Sequence, residues 1–154
     1  MGVRFLRENA MAPLIVITYR VHPEVLDLIS RSCEVRVTSG GSYRMALPGG
    51  TAHAIMTDGS DLIDREVLCS YPDLRIISVT SDGYGAIDVQ ACTDHGVWVA
   101  AARRNLGLPA GNGRLALELE AVANIVEALT GRVPKGAINR PPRRACTLPL
   151  SNSL

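Results

Sequence analysis

Between residues 81 and 85 the chain reads Ser-Asp-Gly-Tyr-Gly, the stretch whose residue types and spacing carry the clearest chemistry. Two glycines one residue apart let a backbone come close to a ligand, because neither has a Cβ to block the approach. The peptide N–H groups of such a turn can serve an anion such as a carboxylate. Ser81 and Tyr84 add hydroxyls, whereas Asp82 repels anions. The same pattern also suits a plain strand-to-helix connection, which is the commoner use. Ser81, Asp82, Gly83, Tyr84 and Gly85 are therefore the candidate substrate-binding set.

Residues for acid–base, nucleophilic or metal chemistry are fewer. His22 precedes Pro23 and suits a helix start, His53 alternates with apolar residues, and His95 stands just before Gly96, where a cation favours a helix carboxyl end. None has a carboxylate close by in sequence. Cys33, Cys69, Cys92 and Cys146 are widely spaced, with no CxxC pair and no His at zinc spacing, so reduced and mostly buried thiols are expected. Neither a glycine fingerprint for a dinucleotide, nor a phosphate loop, nor a nucleophile elbow is present. Catalytic, cofactor-binding and metal-binding residues are accordingly expected to be none.

The bulk properties narrow the partners. At 154 residues, 47% hydrophobic and 20% charged with a formal net charge of +1, the chain suits one domain and carries no electrostatic footprint for nucleic acid. Aromatics are 4% of the residues, with Trp98 the single Trp, which disfavours base-stacking surfaces. No apolar run approaches the roughly 20 residues that span a bilayer. Glu8 and Asn9 interrupt any signal-like apolar segment near the start, so no membrane partner and a cytoplasmic location are expected. Met11 is an alternative start, which would make residues 1–10 an upstream extension; residues 1–12 are expected to lie outside the domain as an N-terminal extension.

The elements that must position the 81–85 loop follow from the apolar pattern. Residues 13–20, 52–57, 74–80 and 97–102 are short apolar runs rich in β-branched residues, as in strands covered on both faces, and 33–39 alternates like a half-exposed edge strand. Helices are expected over 22–32, 61–72, 85–96 and 114–130. The last has Asn112 to cap it, Gly131 to end it and a buried stripe of Leu115, Leu119, Val122, Val126 and Leu129. Residues 141–154 read as a frayed tail. Strands alternating with helices imply right-handed crossovers and a parallel sheet. The expected fold is a flavodoxin-like, doubly wound five-stranded α/β domain, order 2-1-3-4-5, with helices on both faces. Ligands of such sheets bind beyond the carboxyl ends of the strands, where the loops at 18–24, 57–61 and 80–88 converge.

The passages LIVITYRVHPEVLDLI, DREVLCSYPDLRIISVTSDGYGAIDVQACTDHGVWVA and LALELEAVANIVEALTGRVPKGAINRP resemble the D-isomer-specific 2-hydroxyacid dehydrogenase family, and the first is similar to its phosphite dehydrogenase members. The resemblance covers roughly residues 13–102 and 114–141. It implies a substrate-binding domain, residues 13–140, from which the inserted NAD-binding domain is missing, with 103–113 a linker in its place. The family's catalytic Arg, Glu and His belong to that insert and have no counterpart here. The 81–85 loop stands where the family presents backbone amides to the substrate carboxylate, with Asp82 where phosphite dehydrogenases place a Lys. The resemblance thus implies a small-molecule 2-hydroxy or 2-oxo acid as partner. Hydride transfer is absent from this chain alone, and NAD serves only the full-length family. Two alternatives are an oxidoreductase for a 2-hydroxy acid or phosphite once a cofactor domain is supplied, and a binding or interaction module reusing the scaffold. Hinge surface uncovered by the loss favours a homodimer, by plain association or by domain swapping.

Overall fold

The computed structural model describes residues 12–38, 51–81, 83–102 and 113–142. Asp82, Asn112, Cys146 and residues 40–50 lie outside them. Within them lie strands β1 (Leu14–Ile17), β2 (Glu34–Val37), β3 (Ala54–Thr57), β4 (Ile76–Val79) and β5 (Trp98–Ala101); helices α1 (Pro23–Ser30), α2 (Arg65–Ser70), α3 (Val89–Asp94) and α4 (Gly113–Leu129) follow β1, β3, β4 and β5, and no described helix follows β2. The five strands are parallel in the order 2-1-3-4-5, as the alternating pattern predicts.

Burial follows strand position. Every residue of β1, β3 and β4 is buried, whereas β2 at the edge leaves Glu34, Arg36 and Val37 exposed. Successive residues of the central strands feed opposite faces. Leu14, Val16, Ile55, Ile77 and Val99 join Val67, Leu68 and Ala91 of α2 and α3 in one core. Ile15, Ile17, Met56 and Ile76 join Val25 and Ile29 of α1 and Ala121 and Ile125 of α4 in the other. Burying each large apolar side chain contributes about 1.5–3 kcal/mol, so neither layer is dispensable.

Two expectations change. The helix expected from residue 85 begins at Val89, because Asp88 caps it by accepting from the Ala91 N–H at 2.9 Å while Ile87 bridges to Ile63. The stripe expected on the last helix is displaced in part: Leu129 is buried as expected, and Leu115 and Val122 pack partly buried against the core. Leu119 is 42% exposed, and the buried positions are Glu118, Ala121, Asn124, Ile125 and Leu129. Small residues explain the displacement: α4 lies close over the sheet, where the Ser78 hydroxyl donates to the Ala121 carbonyl at 2.8 Å and Ala100 leaves room.

After α4 the chain turns at Gly131, whose φ of 84° is the left-handed value a helix end favours. It then runs back along β5. Ala137 bridges Ala100 in antiparallel sense, and Ile138 donates to Val99 at 2.7 Å. The buried Asn139 side chain accepts from the Val99 N–H at 2.8 Å and donates to the Val97 carbonyl and Thr93 hydroxyl, both at 3.0 Å. Asn124 accepts from the Gly136 N–H at 3.0 Å. The Asn139 amide, bonded at both its oxygen and its nitrogen, thus covers the free edge of β5.

Candidate functional site

The carboxyl ends of β1, β3 and β4 converge, and hydrogen bonds tie their loops together. Ser81 donates its hydroxyl to the Asp58 carbonyl at 2.9 Å and accepts from the Gly83 N–H at 3.1 Å. Gly59, at φ 97°, is backed directly by the Gly83 carbonyl, so a Cβ there would strike backbone. Beneath the loops, the buried Asp61 carboxylate accepts from the hydroxyls of Thr18 and Thr57, the latter at 2.7 Å, and Thr57 accepts from the Gly59 N–H at 3.1 Å. This network fixes the ends of β1 and β3 and sets the position of Gly59. Asp58 is held below the usual carboxylate range, chiefly by hydrogen bonds from the Ser60 hydroxyl and backbone N–H.

The structure brings four of the five candidate residues into one exposed loop; Asp82 lies outside the described residues. The Gly83 N–H is directed at Ser81 and is not free for a ligand. Among the described residues, nothing accepts from the N–H of Tyr84 or Gly85, while Ile87 donates to the Tyr84 carbonyl at 3.0 Å. A Cβ at Gly85 would meet no atom within 4 Å. The N–H groups of Tyr84 and Gly85 are therefore the donors of this loop that have no acceptor among the described residues.

A second cluster at the same end escapes a reading of single motifs. Glu118, fully buried on α4, accepts from the His22 N–H at 2.8 Å, from the Tyr19 phenol at 3.4 Å and from Arg114 at 3.3 Å. Arg114 also donates to the Arg20 carbonyl and lies over the Tyr19 ring, 6.0 Å from its centroid. Burial pushes the Tyr19 phenol well above its ordinary range, and the Thr80 hydroxyl bonded to it pulls the other way. Arg114 is about two-thirds exposed and contributes to the field that lowers Asp58, so it places a cation beside the loops. One signal was available in sequence. A cation in the first turn of a helix opposes the dipole, and Arg114 stands four residues before Glu118, a spacing at which helix side chains meet.

His22 and His53 take structural places. His22 caps α1 by accepting from the Glu24 N–H at 3.2 Å, and His53 accepts from the Leu14 N–H at 3.0 Å, with burial lowering its pKa. His95 is the C-cap of α3. Cys92 is buried and Cys33 half-buried, whereas Cys69 is exposed, contrary to the expectation of mostly buried thiols. Among the described residues, no group of three or more His, Cys, Asp or Glu could hold a metal ion. No described helix is long and apolar enough to cross a membrane.

The family model for the catalytic domain of the D-isomer specific 2-hydroxyacid dehydrogenases matches residues 15–105, and the chain belongs to this family. It is 32% identical over 120 residues to the glyoxylate reductase of Aeropyrum pernix, a match covering 75% of this chain and 36% of that protein. It is 29% identical over 117 residues to the D-3-phosphoglycerate dehydrogenase of Mycobacterium leprae, covering 75% of this chain and 22% of the relative. A crystal structure of a protein from Pyrococcus horikoshii OT3 superposes with a TM-score of 0.53 at 26% identity, over 58% of this chain and 27% of that one. The chain thus spans little more than a third of the first of these relatives and less of the others.

The family raises the question of a dinucleotide, and the described residues do not fit one. The turn from β1 to α1 holds Tyr19, Arg20, Val21 and His22 with no glycine. At the start of α1, where a pyrophosphate would sit, the carboxylate of Glu118 already accepts from the His22 N–H. A second anion there would meet a buried negative charge.

Proposed function

We propose that this chain is the acid-binding domain of a D-2-hydroxyacid dehydrogenase, residues 13–140, which takes up a 2-hydroxy or 2-oxo acid without transferring hydride by itself. The observation that carries this reading is the pair of N–H groups at Tyr84 and Gly85 from which no described residue accepts, on a loop tied to Asp58 by Ser81 and backed against Gly59. A substrate carboxylate bound by those donors lies at the carboxyl ends of the strands, where open α/β sheets bind ligands. Arg114, whose charge reaches Asp58 on the neighbouring loop, adds attraction for the acid. The residues between Ala102 and Gly113 are too few for the family's cofactor domain, because independent domains are typically about 50 residues or more. The linker 103–113 replaces that domain.

A second reading keeps the chemistry. Supplied with a separate cofactor domain, the same loop would present a 2-hydroxy acid for oxidation, and Arg114 would make a more strongly charged oxyanion such as phosphite acceptable. The experiment is a titration of the isotope-labelled chain with glyoxylate, D-glycerate and phosphite, following the amide signals of Gly83, Tyr84 and Gly85. NAD titration and the absorbance of reduced nicotinamide are measured in parallel. Saturable shifts centred on Tyr84 and Gly85, with no cofactor binding and no turnover, are expected. Shifts absent from these amides at millimolar acid would overturn the reading. Turnover appearing on addition of a cofactor domain would favour the second.

A further inference from the structure

At the amino end of the sheet, opposite the loops described above, Cys69 and His95 face one another. Cys69 lies in the last turn of α2 and is exposed, and its sulfur is 3.7 Å from Nε2 of His95. The other ring nitrogen, Nδ1, lies 2.9 Å from the Ala91 carbonyl oxygen. A carbonyl only accepts, so Nδ1 carries the hydrogen. In the neutral ring, the lone pair then resides on Nε2, the atom turned toward the thiol. The partners come from different helices: Arg65 and Asp94 pair across α2 and α3 at 3.3 Å, and the His95 N–H donates to the Ala91 and Cys92 carbonyls, fixing the base of the ring.

The other described thiols are less accessible, and burial favours their thiol form. Cys92 is fully buried and burial pushes it up to about 12, with Asp88 adding to the effect. Cys33 is half-buried and is pushed up to about 11 by the same cause. Thiolate is the reacting form, so neither suits exchange chemistry at neutral pH. Among the described residues, Cys69 alone combines exposure with an imidazole whose lone pair faces its sulfur.

We propose that Cys69 is a thiol–disulfide exchange site for small disulfides, glutathione disulfide being the representative, with His95 as its base. Nε2 of His95 takes the thiol proton and the Cys69 sulfur attacks one sulfur of the disulfide. The new S–S bond forms as the old one breaks. The leaving thiolate collects a proton and departs as a thiol. Cys69 is oxidised to the mixed disulfide while half of the small disulfide is reduced, so electrons balance with no further reagent. The site is remote from the acid-binding loop, and its success or failure is independent of that function.

The test uses the full chain carrying Cys146→Ser, incubated with glutathione disulfide at neutral pH, quenched with acid and mapped by peptide mass. The expected result is an adduct at Cys69 formed about tenfold faster than at the same residue in the urea-unfolded chain, with Cys33 and Cys92 unmodified while the fold is intact. His95→Gln should slow the folded rate about tenfold or more. A Cys69 rate that unfolding leaves unchanged or raises would overturn the proposal, as would a folded His95→Gln chain reacting as fast as its parent. Should that variant melt, the folded-against-unfolded comparison of the parent still decides.

Discussion

Gly59 and Gly85 lie on adjacent loops at the same end of the sheet, yet the fold treats them oppositely. Gly59 adopts a φ of 97° and has the Gly83 carbonyl where a Cβ would go. Gly85 has neither a positive φ nor any atom within 4 Å of that position. The first glycine is demanded by the packing of the protein against itself. The second is not, and its missing side chain leaves room for something else. The two glycines can thus be separated into one that the packing requires and one that it does not, which the proposed reading assigns to the ligand.

The largest expected effect comes from breaking the structural half. Gly59→Ala adds left-handed strain of about 1–2 kcal/mol and a collision with backbone that cannot swing aside, for a loss of about 2–4 kcal/mol in all. Urea denaturation measures it. Because the collision is with the Gly83 carbonyl, the variant should also move the Tyr84 and Gly85 amide signals before any ligand is added. Unchanged signals would mean that the two loops are not coupled as their geometry states.

A smaller effect tests whether the rest of the fold is independent of this end. Asn139 closes the β5 edge with one acceptor and two donated bonds, so Asn139→Ala leaves the buried Val99 N–H without its partner, at a cost of about 1–3 kcal/mol. Thermal melting reads the loss. Acid binding at the 81–85 loop should be unchanged in the folded variant, since Asn139 lies at the far edge.

These regions were unequally legible in the sequence. The strands declared themselves because Leu14–Ile17, Ala54–Thr57 and Ile76–Val79 are short apolar runs covered on both faces, and their alternation with helices leads to the sheet order. The Gly-rich loop was visible for the same local reason. Glu118 and Asn124 were not, since a periodic apolar stripe selects Leu119 and passes over a buried carboxylate. The partner that makes Glu118 tolerable, the His22 N–H, is 96 residues away. Asp61 is hidden likewise, with Thr18 43 residues distant. Composition and spacing record local chemistry, whereas buried polar groups are licensed by contacts only the fold creates.

The sharpest test of the comparison is the smallest in energy and opposite in sign. Gly85→Ala meets an allowed backbone and empty space, so its main effect falls on the unfolded chain, which loses conformational freedom. Stability should rise by about 0.4–1 kcal/mol, a small increase in the urea midpoint. On the proposed reading the added methyl takes up space beside the Gly85 N–H that a bound carboxylate would use, and glyoxylate binding should weaken at least tenfold. A glycine kept for folding gives the reverse pairing, lost stability with binding intact. A chain made more stable and less able to bind would assign the glycine to the ligand, because the fold gains from its removal and only an occupant of that space loses.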